Sequence, residues 1–282
     1  MIKRVIAAAG FAVLAFSAQA ADLGGRPISV PSAILSPGFN WTGFYLGATV
    51  GGAFGTSSRT TDTVFDPTGY FAATSVSAIG AQGRQSKTTS GFTGGVTAGY
   101  NWQFNNIVAG IETDFQYFGQ NGTATNGAVY PCCAPTAFTV QSRVSTNWLW
   151  TLRPRLGVLA TPNLLLFVSG GLALTSIRAN FNFTDTFATA AESASFSNTK
   201  LGFAVGAGAE YAIASNWTIK AEYLYVNFGR VSTTSSNLTA FTPAIAFPGN
   251  AFTHSANLNS HIVRIGANYM FSTGGPAIAA RY

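Results

Sequence analysis

From Leu201 to Tyr211 alternate residues form two sets: Leu201, Phe203, Val205, Ala207, Ala209 and Tyr211 on one face, and Gly202, Ala204, Gly206, Gly208 and Glu210 on the other. A repeat of two is the side-chain period of a β-strand, and an apolar face opposite a small or polar one is the form of a strand with lipid on one side. The pattern recurs where Phe92, Val96, Ala98, Tyr100, Trp102 and Phe104 oppose Thr93, Thr97, Asn101 and Gln103. Every backbone group inside hydrocarbon must be paired, so strands that cross it close into a barrel.

Eight stretches carry the pattern: about Trp41–Phe54, Ser90–Phe104, Ile107–Phe118, Arg143–Ala160, Leu164–Ile177, Thr199–Ile213, Trp217–Phe228 and Ser260–Phe271. Each meets the roughly 9–11 residues that a tilted spanning strand needs. The links are short at Asn105-Asn106, Thr161-Pro162-Asn163 and Ala214-Ser215-Asn216 and long at Gly55–Thr89, Gly119–Ser142, Arg178–Asn198 and Gly229–Asn259. This predicts an all-β fold: an eight-stranded antiparallel up-and-down transmembrane β-barrel with four long external loops and periplasmic turns. A ten-stranded alternative needs a hairpin inside Gly55–Thr89 or Gly229–Asn259. Pro154 removes a ladder donor from the fourth strand, so a bulge is expected there.

Composition supports a membrane setting, since charged residues are 9% of the chain where soluble domains average about 25%. The competing helix, Leu156–Ile177, is uncharged but broken by Pro162 and by Gly170-Gly171, and an interior proline costs a helix about 3 kcal/mol. Residues 1–20 read as a cleaved export signal: Lys3 and Arg4, an apolar run from Val5 to Phe16, then Ala18-Gln19-Ala20. Residues 21–38, with Pro27, Pro31 and Pro37, read as a periplasmic leader, 39–271 as the outer-membrane barrel, and 272–282 as a C-terminal tail. Removing Lys3 and Arg4 leaves 13 basic against 9 acidic residues, a net charge near +4. An excess so small and scattered excludes a nucleic-acid footprint.

Three motifs then stand in order: Trp41-Thr42-Gly43-Phe44-Tyr45-Leu46-Gly47, Gly99-Tyr100-Asn101-Trp102, and Lys220-Ala221-Glu222-Tyr223-Leu224-Tyr225. Together they resemble the alphaproteobacterial opacity-type outer-membrane β-barrel family, often labelled "porin family". The resemblance implies an OmpA-type transmembrane barrel without a periplasmic globular domain, structural work in the envelope, and no catalytic residues to carry over. Arg264 to Phe271, with Arg264, Gly266, Tyr269 and Phe271 at its key positions, resembles the signal read by the barrel-assembly machinery. The tail after Phe271 leaves Tyr282 as the rival terminal residue.

With apolar faces outward, Glu112, Asp114, Arg143, Arg153, Arg155, Glu210, Lys220, Glu222 and Arg264 point into the lumen. An eight-stranded barrel is just wide enough for side chains to fill, and an unpaired buried charge costs several kcal/mol. A charge-paired plug is therefore expected, with a gated ion path as the alternative. Trp41, Tyr45, Trp102, Tyr117, Trp148, Trp150, Tyr211, Trp217, Tyr223, Tyr225, Tyr269 and Phe271 fall mostly near strand ends, where those facing lipid form interfacial girdles. Phe65, Tyr70, Tyr130, Phe187, Phe241, Phe247 and Phe252 are loop aromatics, candidate stacking platforms for a sugar or a haem.

Cys132 and Cys133 are adjacent in the second long loop and form a candidate vicinal disulfide of an exported protein. A second cysteine pair and a nearby histidine, which a zinc site requires, are missing around them. His254, His261, Ser255, Ser260 and Glu192 supply the parts of a hydrolase triad, but no motif orders them. The expected function is therefore a structural and interaction barrel supporting envelope integrity, not an enzyme, with no cofactor and no metal. A small-solute or ion-conducting porin is the alternative. Outer-membrane lipid and lipopolysaccharide are the expected partners; Arg59, Arg84, Lys87, Arg178, Lys200 and Arg230, near loop ends, read first as solvated loop charge and alternatively as contacts to lipid phosphates.

Overall fold

A computed structural model describes residues 39–272. The expected export signal (1–20) and leader (21–38), and the expected tail after Ser272, lie outside the described residues. The elements are β1 (Gly43–Thr63), α1 (Ala73–Gly83), β2 (Gln85–Phe104), β3 (Ile107–Phe118), β4 (Asn121–Val129), β5 (Ala137–Thr161), β6 (Leu164–Asp185), β7 (Ala191–Ala212), β8 (Trp217–Ser235), β9 (Thr239–Ala240), β10 (Ile245–Ala246) and β11 (Phe252–Ser272). All of the strand pairing is antiparallel, and it closes on itself. β1 pairs β2 and β11, and the ring continues through β3, β5, β6, β7 and β8 back to β11.

The strands run much further than the sequence pattern suggests. β5 alone has 25 residues and β6 has 22, and much of what reads as long loop is strand. Gly119–Ser142 contains β4, which pairs β5 along its length and meets β2 at Ser90↔Asn121, taking the place of β3 in the upper wall. The first long connection shrinks to a short link, the helix α1 and the strand ends around it.

The reason is an inversion of polarity along the barrel. On β1 the outward residues are Phe44, Leu46, Val50 and Phe54, then Thr56, Ser58, Thr60 and Asp62. The outward face changes in the same way between Phe92 and Ser90 on β2, Leu174 and Ser176 on β6, Leu201 and Thr199 on β7, and His261 and Asn259 on β11. Beyond this line the inside becomes apolar: Phe181, Phe183, Phe138, Val140, Phe252 and Leu258 are buried there. Below it the barrel is built for lipid outside, and above it for water outside. The ten residue steps from Phe44 to Phe54, at about 3.4 Å each and tilted about 40°, span about 26 Å, close to the roughly 25 Å apolar band of outer-membrane barrels.

Aromatic rings mark both edges of this band. At the short-turn end Phe44 meets Phe271 at 5.7 Å and Trp217 meets Tyr269 at 5.3 Å. At the other end Phe54 stacks on His261 at 5.6 Å and Tyr225 lies 5.1 Å from the same ring. Two expected girdle members turn inward instead. Trp41 and Tyr45 are fully buried, and Trp41 packs with Val108, Leu165, Phe167 and Ala212 to close the short-turn end. Its indole donates to the Pro162 carbonyl at 3.2 Å.

Two details correct the sequence reading of β5. No register change occurs at Pro154, which faces outward and keeps its place opposite Ile111. Register shifts lie instead between Thr146 and Leu149 and, at the turn end, between Leu159 and Thr161; the first of these separates Arg143 from Arg153 and Arg155. Because the side-chain period is two, a one-residue shift exchanges the faces of everything beyond it. Arg153 and Arg155 therefore point inward while Arg143, at the same parity, is exposed on the outer wall. Arg143 is not a lumen residue.

Candidate functional site

The other eight expected lumen charges all lie inside, each at most 4% exposed. With Arg143 outside, four carboxylates (Glu112, Asp114, Glu210, Glu222) meet four cations (Arg153, Arg155, Lys220, Arg264), so the layer is formally neutral. β3 supplies Glu112 and Asp114 two residues apart on its inner face, and β5 presents Arg153 opposite Glu112 in register. β11 presents Arg264 opposite Glu222 of β8. Strand period and register thus place unlike charges on facing positions before any side chain moves.

Arg153 is the hub. Its Nη2 donates to Glu112 at 2.7 Å and to Asp114 at 3.0 Å, and its Nη1 to Glu222 at 2.5 Å. Arg264 binds Asp114 at 3.1 Å and Glu222 at 2.7 Å from the opposite wall. Gly51 makes this reach possible, since a Cβ there would sit 2.1 Å from the Val263 carbonyl and 2.8 Å from the Arg264 Cβ. Lys220 donates to Glu112 at 2.7 Å, and Arg155 to Glu210 at 2.7 Å. Neutral groups add to the shell: Tyr45 donates its hydroxyl to Glu112 at 2.7 Å, Thr218 and Asn268 donate to Glu210 at 2.6 and 2.7 Å, and Thr151 donates to Asp114 at 2.6 Å. The Arg155 guanidinium lies 4.2 Å over the Phe167 ring.

This layer is enclosed along the barrel axis. The Trp41 cluster lies on the short-turn side. On the other side Ala53, Phe118, Leu149, Phe181, Leu224 and Ile262 belong to one continuous apolar core.

The upper barrel holds a second polar group. His254 Nε2 lies 3.2 Å from Glu192 and its Nδ1 3.0 Å from the Thr61 hydroxyl. Its ring stacks on Phe181 at 4.6 Å, and Ser235 also donates to Glu192. The two serines of the triad considered above go elsewhere: Ser255 pairs with Thr60 at 2.8 Å and Ser260 accepts from Gln120 at 2.8 Å. His261 is a girdle residue bonded to Tyr223 at 2.5 Å.

Arg59 also departs from expectation. It is 1% exposed, bonds Ser57 and the Ser142 carbonyl, and among the described residues makes no ion pair. Burial lowers its guanidinium from the ordinary arginine value. It cannot meet lipid phosphates. Proximity to lipid could not reveal this, because the inward parity of β1 continues past the end of the apolar band.

At the tip, Tyr70, Phe187, Phe241 and Phe247 form one aromatic group, with Tyr70 5.3 Å from Phe247. Tyr130 and Phe252 lie in the core beneath. Tyr70 and Tyr130 both donate to Asp185, at 2.6 and 3.0 Å. Burial, reinforced by the Asp185 carboxylate, raises both phenols above the ordinary tyrosine value. Cys132 and Cys133 are joined in a vicinal disulfide.

In class this is a closed antiparallel barrel with an apolar belt outside and a charged layer inside. The model of the outer membrane protein beta-barrel domain matches residues 7–271, and the chain belongs to that family. The 31 kDa outer-membrane immunogenic protein of Brucella melitensis biotype 1 is 37% identical over 271 residues, covering 96% of this chain and 100% of the relative. The 22 kDa outer membrane protein of Rhizobium leguminosarum bv. viciae is 31% identical over 140 residues, 50% of this chain and 54% of the relative. Among solved structures, Neisserial surface protein A aligns over 82% of this chain and 98% of its own, at 15% identity and a TM-score of 0.32. The protein is an outer-membrane β-barrel of the alphaproteobacterial type that its motifs resemble.

Proposed function

We propose that this is a structural and interaction barrel of the outer membrane, eight-stranded and plugged, with its short turns in the periplasm and its extended upper barrel outside the cell. The observation that carries this reading is the neutral, buried layer of four carboxylates and four cations, packed between apolar side chains above and below. Water-filled pores keep their charges hydrated; here the partners of each charge are other side chains. The barrel would support envelope integrity and present its outer wall and tip to lipopolysaccharide. Its last strand, Arg264 to Phe271, would be the edge read by the assembly machinery, and residues 1–20 its cleaved signal.

The protein works without catalysis in this reading. The His254–Glu192 pair is buried against Phe181 and bonded to Thr61 and Ser235, which suits a core contact better than a general base.

Purified protein in planar bilayers tests the plug. Little or no current is expected. Stable stepwise conductance of porin size would overturn the reading and establish the porin alternative.

A further inference from the structure

The outer wall formed by β4, β5, β6 and β7 above the apolar belt is not a plain hydrophilic surface. Register places Arg143, Asn180 and Ser195 side by side in one row and Gln141, Asn182 and Ser193 in the next row outward. Arg178 stands one row nearer the membrane, between Ser145 and Ser197. Neighbouring strands are about 4.8 Å apart, so each row offers a side-chain amide, guanidinium or hydroxyl at that interval.

The wall is also concave. Two adjoining hollows of 510 and 670 Å³ share Gln141, Asn182, Ser193 and Asn237. Asn237, from the β8–β9 connection, overhangs them and donates to the Ser193 carbonyl at 2.8 Å. The outward side chains of both hollows include Arg143 and no carboxylate. Glu192, which contributes to one rim, is 4% exposed and turned inward to His254.

We infer that this hollow binds the phosphorylated oligosaccharide headgroup of an outer-leaflet glycolipid. Side-chain amides both donate and accept, which suits neutral sugar hydroxyls. Guanidinium groups suit phosphate through paired, charge-assisted hydrogen bonds. The order along the wall agrees with such a molecule standing in the membrane. From the belt edge at Leu174 and Leu201 the rows run Ser176, then Arg178, then Arg143 with Asn180, and last the amide row, so the arginines stand on the side nearer the headgroup phosphates and the amides beyond, where sugars continue. The inference rests on the reading that the upper barrel is outside the cell. That reading is tested separately by Ser193→Cys: in intact cells a membrane-impermeant maleimide labels it if the wall is external and leaves it unlabelled if it is periplasmic.

The binding test uses the full mature protein in detergent micelles, titrated calorimetrically with lipopolysaccharide stripped of its acyl chains but retaining its phosphates. Saturable binding is expected. Gln141→Ala/Asn182→Ala should weaken it about tenfold or more, and Arg143→Ala/Arg178→Ala about tenfold per arginine, the worth of one charge-assisted bond each. The arginine effect should vanish when the same oligosaccharide is dephosphorylated. Ser58→Ala/Thr88→Ala on the opposite wall should change nothing, and heat-shifted gel mobility reports that every variant is folded. Three results each overturn the proposal: no saturable binding by the unaltered protein, equal binding by all variants, or an equal loss from the opposite-wall control. Retention of a protein partner instead of the oligosaccharide by this wall would also overturn it.

Discussion

Glu112→Gln probes the interior most directly. The glutamate receives Arg153, Lys220 and Tyr45 at 2.7 Å each and Arg155 at 3.4 Å, and it is 1% exposed. Glutamine keeps the shape, but it removes one of four negative charges and directs an amide NH₂ at a cation. The layer then carries an uncompensated positive charge away from water, a change that costs about 3–5 kcal/mol in buried pairs. The same loss in a hydrated lumen would cost about 1 kcal/mol, the Coulomb energy of a pair 4 Å apart in water. Urea titration of the barrel in lipid vesicles, followed by tryptophan fluorescence, separates these values, because the midpoint should fall with an unchanged slope. Lys220→Met in the same chain restores neutrality and should recover about 2 kcal/mol, a coupling of the size found between residues of one network. A loss under about 1 kcal/mol with no recovery would refute the dry, balanced layer.

Three further outcomes are expected. Arg143→Glu should leave stability within about 0.5 kcal/mol, as for other surface changes, whereas the same substitution at Arg153 should prevent folding; equal effects in heat-modifiability gels would place both on one face. Phe271→Ala should lower the folded fraction in outer membranes more than deletion of residues 272–282, because Phe271 holds the girdle contact with Phe44 at 5.7 Å; the reverse ranking would make Tyr282 the terminal signal. Tyr70 and Tyr130 keep their protons in the folded tip above the pH at which free tyrosine ionises. The unfolded chain then binds fewer protons than the folded one, so this contribution is complete below about pH 10 and is lost as pH rises further. Tyr70→Phe/Tyr130→Phe should flatten the alkaline limb of the unfolding profile, and an unchanged limb would exclude these phenols as its source.

The lipid-facing half of the barrel was legible because hydrocarbon imposes a strict rule on every second residue. Leu201 to Tyr211 needs no partner to show its outward face. The upper half obeys a different rule. Ile177, Ala179, Phe181 and Phe183 alternate with Arg178, Asn180 and Asn182 as regularly as any spanning strand, but the apolar set faces inward, so the sign of the pattern changes without a break in its period. A reading anchored on lipid stops at that change and takes the remainder for loop. Arg143 was misplaced for a related reason: parity carries a face assignment only until the first bulge, and neither Thr146 nor Leu149 marks one. The eight buried charges were legible individually. Their pairing was not, because it depends on which strands face one another across the ring.

The continuous strands above the belt also determine how far the tip stands from the membrane. From Thr56 to Thr63 and back through Gln85 to Ser90, the backbone is held in the ladder, and about eight residues at 3.4 Å, tilted about 40°, add about 20 Å of height. Tip segments such as Asp66–Tyr70 or Phe241–Phe247 hang from a rigid mast and do not themselves supply its length. In the proposed orientation, whatever these segments display stays at a constant elevation above the cell surface.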